Sequence, residues 1–166
     1  MEEATKMVKF ARLVNLILVG MLTGNEFGGW VAVHPALGSL PASEHIRAEQ
    51  TVYRRYGKTM PFFMTSTILS AIPVMSLTGD RKSSAFRFTL AGMLCYVVML
   101  LITLAGNVPI NRRLLDLPPQ EASYEEFLEL RKRWDRLHTI RNFLNMAGLC
   151  FSCLGALSQA GSGDAA

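Results

Sequence analysis

FRFTLAGMLCYVVMLLITLAGNVPINRR, Phe86 to Arg113, is the stretch on which the fold turns. From Phe86 to Ala105 it is almost wholly apolar, and roughly 20 helical residues suffice to cross a hydrocarbon core of about 30 Å. Its character then changes: Asn107 and Asn111 bracket Pro109, and Arg112 and Arg113 follow as charges that would stop transfer through a bilayer. An apolar helix that ends in amides around a proline reads as a membrane span delivering polar groups to one interface.

Three other blocks have the same texture, about Phe10–Ala32, Met60–Leu77 and Ile140–Leu157. Half of the 166 residues are hydrophobic (50%) and the mean hydropathy is +0.24, which sets the chain apart from an ordinary soluble domain. The expected fold is all-α: a four-helix transmembrane bundle with amphipathic helices in the long connections, one multi-pass integral membrane domain over residues 1–166. The first span follows Lys6, Lys9 and Arg12, as the apolar core of a secretory signal would. It lacks a small-residue cleavage site and carries Asn25 and Glu26, so it is expected to be retained and to stop at His34-Pro35. There is no internal repeat, and the polar tail GSGDAA is expected to fray.

Lys and Arg counts place the connections after spans one and three in the cytoplasm and both termini outside. Each of those connections carries a predicted helix. Over about 43–56, Ser43 offers an N-cap, Glu44 sits in the first turn, and Ile46, Glu49, Tyr53 and Tyr56 share one side. This helix is expected on the membrane surface, with His45 solvated. Over about 123–139, Ser123 and Glu126 form a capping box, and Phe127, Leu130, Trp134, Leu137, Arg141 and Leu144 continue one stripe into span four. A net charge of +4 and a pI near 9.2 fit basic flanks at lipid headgroups. Without a basic stripe interleaved with stacking aromatics, nucleic acid is excluded as a partner and the lipid bilayer is the expected one.

Alternating direction brings the ends of spans one and three and the start of span four to one membrane face. Glu26, Trp30 and His34 recur at helical spacing, as do Asn107 and Asn111, and as do Trp134, His138 and Arg141. Glu26 lies roughly 24 Å along the first span at 1.5 Å per residue, and a charge inside a bilayer costs about 2.5 to 3.5 kcal/mol unless paired. It is therefore expected to face the bundle and pair with Arg141 or His138, while Asn107 and Asn111 satisfy backbone groups freed by Pro109. The plainer reading makes the same cluster helix-to-helix glue at about 0.6 to 2 kcal/mol per hydrogen bond, with Trp30 and Trp134 as interface anchors.

GNEFGGWVAVHPAL closing span one, Met60-Pro61 opening span two, NVPINRRLL after span three and RWDRLHTIRNFL entering span four stand in a telling order. Over most of its length the chain resembles the anthrone-oxygenase-like family of small four-helix membrane proteins. The resemblance implies oxidation of a polycyclic aromatic, anthrone- or polyketide-like substrate by O2, through deprotonation and oxidation of the resulting enolate without a cofactor. It implies a catalytic set of His138, His34, Glu26, Asn111 and Arg141, with Trp134, Trp30, Asn107, Asn25 and Tyr53 around an apolar aromatic substrate that arrives from the lipid.

Three other chemistries are open at this point. Glu26, His34 and His138 offer a carboxylate and two imidazoles for copper, iron or haem, although no HxxxH or HxxE pair accompanies them. Cys150 and Cys153 form a C-x-x-C on span four, but Cys95 is the only other thiol, so apolar packing is expected rather than a redox relay. A non-catalytic scaffold or small permease would use the polar cluster for contact or transport, yet the two halves show no sequence symmetry.

Overall fold

The computed structural model describes residues 2–158, and these contain helices and turns but no strand. Helix α1 runs over Glu2–Gly28 and continues through a π-helical turn, Gly29–Val33, into His34–Leu37. Helix α2 is Ala42–Thr78. Helix α3 is Ser84–Ile102, a π-helical turn at Thr103–Asn107, and Val108–Asp116. A 3-10 turn at Glu121–Ser123 leads into α4, Tyr124–Leu157. All 4 rods are long and apolar enough to cross a membrane. They pack in chain order as a closed ring, α1 against α2, α2 against α3, α3 against α4 and α4 against α1.

Small residues draw α3 and α4 together. A Cβ on Gly92 would stand 2.9 Å from Ser152 Oγ, and one on Gly148 would stand 2.7 Å from the Tyr96 ring, so only glycine admits that approach. Val19, Leu22, Met64, Tyr96 and Met99 fill the middle of the bundle. Ile46, Tyr53, Leu114, Leu117, Phe127 and Trp134 form a second core at the end where α2 and α4 begin. The α2–α3 turn relies on Gly79 at φ 77, and Ser83 then caps α3 by accepting the Phe86 amide.

Several local expectations are corrected. His34-Pro35 does not end α1, and Pro109 does not break α3. Each proline is preceded by a π turn, closed by His34 N–H to Gly29 O and by Val108 N–H to Thr103 O. The widened turn moves backbone carbonyls away from the pyrrolidine ring, so the helix passes the proline. The segment 43–56 is the first part of the continuous α2, whose N-cap is Pro41 rather than Ser43. His45 is not solvated: its ring packs 4.8 Å from that of Phe127, and Nδ1 lies 3.2 Å from Tyr124 Oη. Ser123 caps nothing through its side chain, because it closes the 3-10 turn. Glu126 instead meets Arg113, which lies inside α3, in an exposed pair at 2.7 Å.

Polar contacts also extend farther down the bundle than the sequence suggests. Asn15 donates to Ser70 at 2.8 Å, and Tyr96 joins Thr23 at 2.9 Å. The GSGDAA tail lies outside the described residues. Cys95, Cys150 and Cys153 are free thiols.

Candidate functional site

The π turn of α1 carries Gly29, and beside it lies a cavity of about 250 Å³ bounded by all four helices. Glu26, His34, Asn111, His138 and Arg141 all line it, together with Asn25, Tyr53 and Trp134. Asn107 sits behind the wall, where its amide donates to the Trp134 carbonyl at 3.4 Å. Trp30 is turned away, its ring edge-on to Phe27 and Phe143. Met60, Met64, Leu100 and Leu104 make much of the remaining wall apolar, and Tyr56, Thr65 and Thr103 complete it. Pro61, Thr65 and Leu104 also reach the outer face of the bundle, which opens the cavity between α2 and α3.

Two charge networks meet at this cavity. In the first, Arg141 Nη2 donates to Glu26 Oε2 at 2.6 Å and His138 Nδ1 lies 3.4 Å from the same oxygen. In the second, His34 Nδ1 lies 2.9 Å from Glu49 Oε1, and Arg131 Nη1 stands 3.6 Å from that oxygen. Arg131 also donates to Tyr53 Oη at 2.5 Å and to Asp135 at 2.6 Å, and its guanidinium lies 4.5 Å above the Trp134 ring. Glu26 and Glu49 are buried, at 5% and 0% exposure. A carboxylate so enclosed persists only with a partner, which Arg141 and Arg131 supply.

The aromatic rings bind the two networks into one unit. Trp134 lies 4.8 Å from His34, 4.5 Å from His138 and 5.9 Å from Tyr53, and the imidazoles are edge to face at 5.6 Å. A methyl group on Gly29 would stand 3.8 Å from His138 Nε2 and 3.9 Å from His34 Nε2, so both nitrogens converge on one point of the wall. Trp134 Nε1, Asn111 Oδ1 and His138 Nε2 are buried and hydrogen-bonded to nothing in the protein. Each such group costs about 1–3 kcal/mol while it stays unmet.

A model of the anthrone oxygenase family matches residues 50–151 of this chain. The chain belongs to the anthrone oxygenase family. No curated protein and no solved structure matches it. The segment shared with the anthrone oxygenase family includes Tyr53, Asn107, Asn111, Arg131, Trp134, His138 and Arg141, whereas Glu26, His34 and Glu49 precede it.

Glu49 and Arg131 escape the sequence reading. Arg131 precedes Trp134 by three residues and so extends the Trp134, His138, Arg141 stripe by one turn, a signal present in the spacing. Glu49 shares a side with Ile46 and Tyr53, but a helix read as lying on the membrane gives it no reason to be buried. The metal set of Glu26, His34 and His138 is not assembled: Arg141 holds the Glu26 oxygen nearest His138, and no ligating group of three or more forms among the described residues.

Proposed function

We propose that this protein is a membrane-embedded oxygenase that converts an anthrone-like methylene, flanked by aromatic rings, into a ketone with O2, as in polyketide tailoring. The methylene carbon loses two hydrogens and gains one oxygen atom, and the second oxygen atom leaves as water. An imidazole removes the first proton, and the electron pair left behind spreads over the ring system as an enolate. That enolate reduces O2 and combines with it, and the imidazolium returns its proton to the outer oxygen, giving a carbon-bound hydroperoxide. Removal of the second proton from the same carbon expels hydroxide, which leaves as water once protonated.

The observation that carries this reading is the convergence of two carboxylate-backed imidazoles on one point of an apolar cavity with buried, unused donors. Trp134 Nε1–H suits the substrate's ketone oxygen, and the Asn111 amide and Arg141 guanidinium suit the anionic enolate and peroxide. Met60, Met64, Leu100 and Leu104 offer apolar walls for a flat ring system, and the opening between α2 and α3 suits a substrate dissolved in lipid. O2 is a co-substrate, and the chain's own groups supply the acid and base chemistry.

The test is oxygen uptake by the purified protein in nanodiscs with anthrones and hydroquinone-like substrates, followed by mass analysis under 18O2. One labelled oxygen in the new ketone is expected. Uptake no faster than in empty nanodiscs for every such substrate would overturn the reading.

A further inference from the structure

His34 is the one residue, among those described, that lines both the apolar cavity and a second, polar cleft of about 510 Å³ at the end of the bundle. Arg131, His45 and Asp135 wall that cleft, and the exposed Lys132, Asp135 and Arg136 open it to the surface. His34 is thus a partition between a chamber open towards the apolar flank and a cleft open to water. Its two ring nitrogens are occupied differently. Nδ1 meets Glu49 at 2.9 Å, and Nε2 points towards the place where Gly29 leaves room.

Glu49 is anchored on the cleft side, with Arg131 Nη1 at 3.6 Å and His45 Nε2 at 3.8 Å from Oε1. A carboxylate that accepts Nδ1–H selects one tautomer, leaves the Nε2 lone pair for a substrate proton and stabilises the imidazolium that results. His138 has a poorer arrangement, because its carboxylate is held at 2.6 Å by Arg141 and stands 3.4 Å away.

Resting on the oxygenase reading of the cavity, we propose that His34 is the base, that Glu49 is its positioning residue, and that His34 exchanges the substrate proton with water through the cleft. The substrate C–H bond breaks, its electron pair remains in the enolate, and an N–H bond forms at His34 Nε2. The Nδ1 proton stays on His34, accepted by Glu49, while the substrate-derived proton on Nε2 is released to water that reaches His34 from the cleft, and a proton from that water takes its place. The charged and titratable groups around this route are Glu26 on α1, Glu49, His45 and Tyr53 on α2, and Tyr124, Arg131, Asp135, His138 and Arg141 on α4.

Anaerobic isotope wash-out tests this. Without O2 the enolate can only be reprotonated, so an anthrone deuterated at its methylene should lose deuterium to water in the presence of the protein in nanodiscs. Glu49→Gln should slow that loss by at least about tenfold, with KM within about twofold, and Glu49→Asp should recover part of it. Nitrogen-15 histidine NMR of the unaltered protein should show His34 protonated at Nδ1, a readout that requires no variant to fold. Deuterium retained while the same preparation consumes O2 in air overturns the proposal, as does a Glu49→Gln variant that exchanges at the full rate or a His34 protonated at Nε2. Wash-out without oxygen uptake would instead remove the oxygenase reading and leave the base assignment standing.

Discussion

Replacing Gly29 with alanine adds one methyl group at the point where the two imidazoles converge. The new carbon would stand 3.8 Å from His138 Nε2 and 3.9 Å from His34 Nε2, ordinary contact distances that the unliganded protein accommodates. Gly29 lies in helical backbone, where alanine is favoured over glycine by up to about 1 kcal/mol. Stability should therefore hold or rise. Catalysis should not, because a reacting carbon has to come within about 3–3.5 Å of the base, and a displacement of about 1 Å costs on the order of 10²-fold. That loss corresponds to about 2.7 kcal/mol of transition-state stabilisation. The assay pairs thermal denaturation in detergent with oxygen uptake on an anthrone, and Gly24→Ala serves as the control because nothing lies within 4 Å of its added methyl. Turnover of Gly29→Ala within about twofold of the unaltered protein, at an unchanged melting temperature, would refute the assignment of this point as the place of reaction.

Glu26→Gln leaves the buried Arg141 guanidinium without its counter-charge, and unfolding in graded denaturant should show a loss of about 3–5 kcal/mol, partly recovered in Glu26→Gln with Arg141→Met. Gly148→Ala drives a methyl to within 2.7 Å of the buried Tyr96 ring, so its melting temperature should fall by the equivalent of about 1–3 kcal/mol. Arg113→Ala breaks a pair exposed at 61% and 47% and should change stability by less than about 1 kcal/mol in the same titration. Trp134→Phe deletes the unused indole donor and should lower kcat/KM about tenfold or more, whereas Trp30→Phe, outside the cavity, should leave it within about twofold.

The rods were legible in the sequence because an apolar run of membrane length admits one solution, a helix whose backbone bonds close within the segment. The convergence of Glu26, His34, Asn111, His138 and Arg141 on one cavity was legible for a related reason: helical spacing and alternating direction give the five residues one end of the bundle to share. Proline misled, since Pro35 and Pro109 ordinarily argue for a stop, and the π turn that carries each helix past its proline has no propensity signature. Burial in the connections was also hidden. Amphipathicity tells that Ile46, Glu49 and Tyr53 share a side, but not whether that side meets lipid headgroups or the start of α4, so the sequence leaves open the burial of Glu49 and misplaces His45 in solvent.

The two networks also explain how so much charge can occupy an apolar site. Glu26 is matched by Arg141, and Glu49 by Arg131, whose further partner Asp135 is half exposed and remains solvated. With both imidazoles neutral, each buried set sums to zero, which is the arrangement that a low-dielectric interior penalises least. The proposed proton transfer from substrate to imidazole would preserve that sum, since it creates an imidazolium and an enolate side by side and brings no net charge into the bundle. On the proposed reading, the carboxylate and guanidinium paired behind each imidazole both let the site stay buried and let an apolar acid be ionised there.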